Sequence, residues 1–168
     1  MSSLKLRSCL LLLLAALFLL TCATAESYEA STMRLLRYEG NVEISDASGN
    51  TRFVMENARF NSGETMLTGE ASSASVSLDS SKIVTLDAVT KVEFVKDAGQ
   101  LQMNLKTGTL FLDVQKKLDE NESLDIQTTT MTVGIRGTIV YVSEAAPTDG
   151  ISGTSTQLGV LEGTARLT

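Results

Sequence analysis

The feature that most constrains this chain is its punctuation. From Ser31 onward, short runs with apolar residues at alternate positions are cut by turn-forming residues about every ten positions, the spacing of an all-β fold. Met33 to Tyr38 leads through Glu39-Gly40-Asn41 into Val42-Glu43-Ile44, and Ser45 to Asn50 is a turn by composition. Thr51 to Glu56, Thr65 to Thr68, Ala74 to Leu78, Ile83 to Leu86 and Lys91 to Val95 continue as strands, with turns at Asn61 to Glu64 and Asp79 to Ser81. Leu101 to Leu105 and Leu110 to Val114 read as two strands separated at Thr107-Gly108, and Leu124 to Gln127 follows. Thr156 to Val160 and Ala165 to Leu167 flank a turn at Leu161-Glu162-Gly163-Thr164.

Only Phe111 to Glu122 offers a helical alternative, and its apolar members make a weak stripe. A strand to about Lys116 with a hairpin tip at Asp119 to Glu122 is the better reading. Ser143 to Ser155, which holds the only proline, Pro147, reads as a surface loop. The sequence stops at Thr168 within strand-like residues, as a short terminal strand or a truncation would. Trp is absent and aromatics are few, so Val, Leu, Ile and Met must build the core. The expected fold is therefore all-β: a single domain of short antiparallel or stacked strands, solenoid-like or a sandwich. Three runs, Glu39-Gly40-Asn41-Val42, Lys106-Thr107-Gly108-Thr109-Leu110 and Leu161-Glu162-Gly163-Thr164-Ala165, share a glycine-then-strand form and favour the wound arrangement.

Residues 1–25 read as a signal peptide that precedes a β domain over 26–168. Lys5 and Arg7 form a basic start, Leu10 to Leu20 is apolar, and Ala23-Thr24-Ala25 supplies the small residues of a cleavage site. The apolar run is shorter than the ~20 residues a membrane span needs, so no transmembrane helix is expected in the mature form. The expected location is the periplasm or the cell surface. Acylation at Cys22 is a rival outcome, disfavoured because Thr21 fits poorly before a lipoprotein cysteine.

Removing the leader sharpens the chemistry. Both cysteines, Cys9 and Cys22, lie in it, so the mature chain holds no disulfide and no thiolate. The leader carries two of the 14 basic residues and none of the 20 acidic ones, leaving 12 against 20, a net charge of −8. An acidic chain of this kind has no reason to seek nucleic acid. The complete absence of histidine removes the usual general base and the commonest metal ligand. No Gly-rich phosphate loop precedes a helix, and no Cys/His cluster is available for zinc. Asp119, Glu120 and Glu122 sit in the expected tip, where a charge run is ordinarily solvated, and they lack the glycine and spacing of a calcium loop. No catalytic residue, cofactor site or metal site is expected, and an enzyme using paired carboxylates on a glycan is the least supported reading.

The stretch Thr128 to Val142, TTTMTVGIRGTIVYV, is the one the remainder is expected to present. It reads as two strands joined at the corner Gly134-Ile135-Arg136-Gly137. The glycines require either φ > 0 or close approach of another segment. Arg136, held between them, has little room to reach outward. Its guanidinium is expected to cap backbone carbonyls of neighbouring strands, and anchoring an acidic group of a partner is the alternative.

Val133-Gly134-Ile135-Arg136-Gly137-Thr138 resembles the hallmark of the FecR domain family. The resemblance extends from about Leu35 to Thr168: Glu39 to Val42 is similar to the family's opening Gly-x-Val, Asn61 to Leu78 to its Gly-Asp segment, Leu101 to Val114 to its Leu-x-Leu-x-x-Gly-x-Leu, and Leu161-Glu162-Gly163 to its closing Val-x-x-Gly. Glu64 replaces the usual aspartate, and Asp79-Ser80-Ser81 replaces Asp-Gly-Ser. In the best-studied members the resemblance implies a periplasmic receiver that relays an outer-membrane iron-transport signal after a membrane helix and an anti-sigma segment. With a leader in that place, this chain resembles a stand-alone exported version. The expectation is a non-enzymatic interaction or scaffold module that binds an envelope protein or a glycan through sheet edges or the Ser143 to Ser155 loop, with signal transduction as the alternative.

Overall fold

The computed structural model describes residues 33–97, 99–145 and 154–168. The leader, both cysteines and residues 146–153 of the expected surface loop lie outside the described residues. The described chain is all-β, with fourteen strands and no helix: β1 (Met33–Glu39), β2 (Val42–Ser45), β3 (Thr51–Phe53), β4 (Arg59–Phe60), β5 (Glu64–Thr68), β6 (Ser73–Ser77), β7 (Lys82–Leu86), β8 (Lys91–Asp97), β9 (Gln100–Val114), β10 (Ser123–Gln127), β11 (Thr132–Ile135), β12 (Ile139–Ala145), β13 (Ser155–Glu162) and β14 (Ala165–Leu167).

These strands form one curled sheet with two halves. One half runs β4-β1-β6-β7-β9-β12-β13, the other β3-β2-β5-β8-β9-β10-β11-β14, and β9 belongs to both. All pairs are antiparallel except β9 with β10. Apolar residues of both halves form a single core, in which Phe60 of β4 meets Phe94 of β8 with ring centroids 5.1 Å apart. A tilted aromatic pair of this kind adds about 0.5–1.5 kcal/mol beyond the area it buries.

β9 shows how the chain passes between halves. Leu101, Met103 and Leu105 are buried, and so are Leu110, Leu112 and Val114, so the inward alternation changes phase by one residue across the strand. Gly108, with φ +89°, absorbs that change. The out-of-phase pattern reads in the sequence as two strands, whereas the backbone continues as one.

The three glycine-then-strand runs share a construction. Gly40, Gly108 and Gly163 all have positive φ, and a Cβ on each would fall 2.3, 2.4 and 2.6 Å from the hydroxyl oxygens of Ser72, Thr90 and Thr138 respectively. Those hydroxyls are buried, and each accepts the N–H of the residue after its glycine: Asn41 to Ser72 at 2.9 Å, Thr109 to Thr90 at 2.9 Å, Thr164 to Thr138 at 3.0 Å. At a corner the ladder is interrupted, and a backbone N–H left unpaired there would cost about 1–3 kcal/mol. A glycine with room for the neighbouring hydroxyl supplies the partner. Thr90 and Thr138 also donate back to the carbonyls of Thr109 and Thr164, at 3.1 and 2.9 Å.

Several expectations need correction. Thr51 to Glu56 is extended only over β3, and the two-residue β4 carried no sequence signal. Thr128 to Thr130 form the turn between β10 and β11 rather than the start of a strand, because the Thr128 hydroxyl accepts the N–H groups of Thr130 and Met131 at 3.3 and 3.2 Å. Residues 143–145 and 155 belong to the paired strands β12 and β13, so the expected loop is shorter than Ser143 to Ser155. The segment 115–122 is neither helix nor hairpin: it crosses over so that β10 lies parallel to the first part of β9. Its turn is closed by the Glu122 N–H donating to the Asp119 carbonyl at 3.0 Å.

That crossover is pinned by Lys82, which shares the inward register of Val84 and Leu86 on β7 and is 5% exposed. Its ammonium lies 2.7 Å from Asp79 and 3.4 Å from Glu122. Burial pushes the Asp79 carboxyl up, but hydrogen bonds from Lys82 and Ser81 with the Lys82 charge outweigh it, leaving the group below its ordinary 3.8. Burial likewise pushes Lys82 down, and Asp79 and Glu122 outweigh it, leaving Lys82 above 10.5. The Asp79 contribution is therefore present above pH 3.8 and lost as the pH falls below it, while that of Lys82 is present below pH 10.5 and lost as the pH rises beyond it.

Two predictions follow from this architecture. Thr90→Val, nearly isosteric, should cost about 1–3 kcal/mol in urea unfolding by stranding the Thr109 N–H, and Gly108→Ala should cost more, since strain and a clash add to the same loss. Lys82→Met should cost about 1–3 kcal/mol at pH 7, less than a fully buried pair because both carboxylates touch water. Repeating that measurement below pH 3.8, where the Asp79 contribution is progressively lost, should show the gap between variant and parent narrowing.

Candidate functional site

The hallmark segment crosses from one half of the sheet to the other. Val133 and Ile135 of β11 are buried, Gly134 between them faces outward, Arg136 and Gly137 make the bend, and Thr138 leads into β12. The corner is therefore Arg136-Gly137-Thr138, two residues later than Gly134. Gly137 has φ +75°, and a Cβ there would lie 3.1 Å from the Lys117 Cα, so the crossover segment packs directly on the bend. Thr138 is buried and supplies the corner's hydrogen bonds, to the N–H and carbonyl of Thr164.

Because the threonine performs that task, the arginine is released from it. Arg136 is exposed, and among the described residues its guanidinium enters no ion pair, unlike Arg52, which meets Glu64 at 2.9 Å. Among the described residues the Arg136 guanidinium makes no hydrogen bond to a neighbouring carbonyl, and its side chain is exposed at the bend.

Register builds a cleft beside it. Gly134 lies opposite Asp125 of β10 on one side and Arg166 of β14 on the other. Lacking a side chain, Gly134 forms a low floor between them, where a Cβ would stand 3.3 Å from the Asp125 carboxylate. The resulting cleft of about 360 Å³ is lined by Glu122, Asp125, Gly134, Arg136, Thr164 and Arg166. A second depression, about 260 Å³, lies on the other side of Arg136 and Glu122, against Lys117 and Asp119.

Partial burial raises the Asp125 carboxyl above its usual range. Asp125 and Arg166 lie on opposite sides of Gly134, one strand apart, and they form no ion pair. The cleft thus offers two guanidiniums without an ion pair among the described residues and two carboxylates, of which Glu122 is engaged by Lys82 and Asp125 is not. Such a fork of donors suits a carboxylate, sulfate or phosphate group. Among the described residues no three His, Cys, Asp or Glu side chains gather as a metal cluster.

Of these residues the sequence picked out Gly134 and Arg136. Asp125 and Arg166 were missed, because their place beside Gly134 depends on pairings among β10, β11 and β14 that no local pattern reveals. The outward phase of Arg166 between Ala165 and Leu167 was the only available signal.

The corner makes a clean separation of roles testable. Arg136→Ala should change stability by no more than about 0.5 kcal/mol, as at an uncommitted surface position, whereas Thr138→Val should cost about 1–3 kcal/mol. Urea unfolding of both variants checks this directly.

Comparison with known proteins bears on the same region. The family model described as FecR protein matches residues 64–166, a span that contains the hallmark corner, both clefts and the whole of β9. No curated protein and no solved structure matches the chain. Members of that family are typically associated with the cell envelope. With its model covering more than half of the sequence, this chain belongs to the FecR protein family.

Proposed function

We propose that this protein is a non-enzymatic, exported interaction module of the cell envelope, in the periplasm or at the cell surface, which engages an acidic group of an envelope protein or an anionic glycan through the cleft at the hallmark corner. One observation carries this reading: Arg136 and Arg166 line a single cleft, and among the described residues neither has a counter-ion. A guanidinium mounted on a rigid bend loses less freedom on binding than one on a mobile loop, so more of its contact energy appears as affinity.

Family membership favours a second reading at least as strongly, in which the same cleft serves a periplasmic signal-transduction component related to iron-transport sigma-factor regulation. The two readings share the contact and differ in its consequence. Deleting the gene should leave transcription of iron-transport genes unchanged under the first and abolish their induction under the second.

Affinity capture from envelope extract tests the shared part. The intact protein should retain a partner that high salt weakens, Arg136→Ala should retain less, and Arg136→Ala/Arg166→Ala should lose it while unfolding at the parent's urea midpoint. Undiminished retention by the folded double variant would exclude the cleft.

A further inference from the structure

The pleat sets the order of charges in the hallmark cleft. Gly134 lies between the buried Val133 and Ile135 on β11, and Asp125 lies between the buried Leu124 and Ile126 on β10, so both point to the outer face. Arg136 continues that face about 7 Å along from Gly134, since alternate residues of a strand share a side. Gly134 pairs with Asp125 on one side and with Arg166 of β14 on the other. Two strand spacings, about 10 Å, therefore separate the acid from the base across a floor that carries no side chain.

The Asp125 carboxylate leans over that floor. Its Oδ1 stands 3.3 Å from where a Cβ on Gly134 would lie, whereas the nearest side-chain atom of Arg166 to the same point is its Cβ at 4.0 Å. Of the two carboxylates in the cleft, Glu122 is engaged by Lys82, and Asp125 has no ion pair among the described residues. Partial burial without a compensating partner keeps its carboxyl above the usual range.

A simple ion leaves such a cleft half-satisfied. An anion seated on the two guanidiniums faces the Asp125 carboxylate, and a cation at Asp125 faces the guanidiniums. A ligand with both charges close together meets both walls. We propose that the cleft holds the zwitterionic end of an α-amino acid, its carboxylate on the guanidiniums of Arg136 and Arg166 and its ammonium on Asp125. The two charged groups of such an end lie about 3 Å apart, and a charge-assisted hydrogen bond of about 2.8 Å on either side makes a bridge of about 9 Å, which the gap between Asp125 and Arg166 accommodates. The forked guanidinium suits the planar carboxylate, and the compact ammonium suits a single carboxylate.

Two sources present this chemistry. One is a free amino acid, and the other is a residue joined to a larger envelope polymer through its side chain, which leaves the α-carbon end free. The inference rests on the cleft being the binding face and goes further by naming the charge pattern of what it takes.

NMR titration of the isotope-labelled protein, followed at the Gly134 and Arg136 amides, tests it with four probes. Alanine stands for the free amino acid and Nε-acetyllysine for the side-chain-linked one, and both should shift these amides saturably; whichever binds tighter identifies the source. N-acetylalanine, which keeps the carboxylate but not the ammonium, should bind about tenfold more weakly, and alaninamide, which lacks the carboxylate, should give no saturable shift. Asp125→Asn, a change that conserves size, should bind alanine no better than N-acetylalanine. If that variant fails to fold, the comparison of probes on the parent protein still decides. Binding of N-acetylalanine as tight as that of alanine, or an unchanged preference in folded Asp125→Asn, would overturn the zwitterion and leave an anion-binding cleft standing. No saturable shift with any probe would also overturn it, and loss of envelope capture by Arg136→Ala/Arg166→Ala would then show that the cleft still binds its partner.

Discussion

The structure depends on buried hydroxyls that stand in for the sheet ladder at three corners where the chain turns from one half of the sheet to the other. A curled sheet must break its hydrogen bonding at each corner, and each break would strand a backbone N–H in a region from which water is excluded. Ser72, Thr90 and Thr138 answer this at three corners with one device, a hydroxyl set into the space left by a positive-φ glycine. Thr68 repeats part of it without such a glycine, accepting the Thr90 N–H at 2.9 Å and donating to the Asp87 carbonyl at 2.6 Å. Threonine suits the task because its methyl group packs in the core while its hydroxyl serves the backbone.

This division of labour is what frees the hallmark arginine. At the corner after β11, Thr138 serves the backbone of the adjacent β13–β14 corner and the crossover segment packs on Gly137, while among the described residues Arg136 enters no ion pair. The crossover is in turn tied to β7 through Lys82 and Glu122, and Glu122 lines both depressions beside the arginine. Burial of apolar strands thus fixes the frame, hydroxyls fix its corners, and one ion triad fixes the wall of the cleft. Arg136 and Arg166, both without an ion pair among the described residues, face that cleft.

Much of the fold was legible locally because strand alternation and turn composition act over a few residues. Most strands coincide with alternating runs, and the three glycine-then-strand runs mark three real corners. Failures came where the deciding contact is distant. The phase change at Gly108 looked like a strand break, since only the partners β7, β8 and β12 show that the ladder continues. The three threonines looked like strand because β-branched residues favour it, but the hydroxyl of Thr128 captures the backbone and makes a turn. The site was legible at its centre, Gly134 and Arg136, and illegible at its walls, because Asp125 and Arg166 arrive from strands separated in sequence.

The most direct test of this account is amide hydrogen exchange at Asn41, Thr109 and Thr164, the residues whose N–H groups the buried hydroxyls are held to accept. Protection at all three comparable to that of interior β9 amides is the predicted result, since opening any corner would require separating the two halves of the sheet. Exchange at the rate of exposed turns such as Ser48-Gly49 would contradict it, and with it the rigid corner from which Arg136 projects.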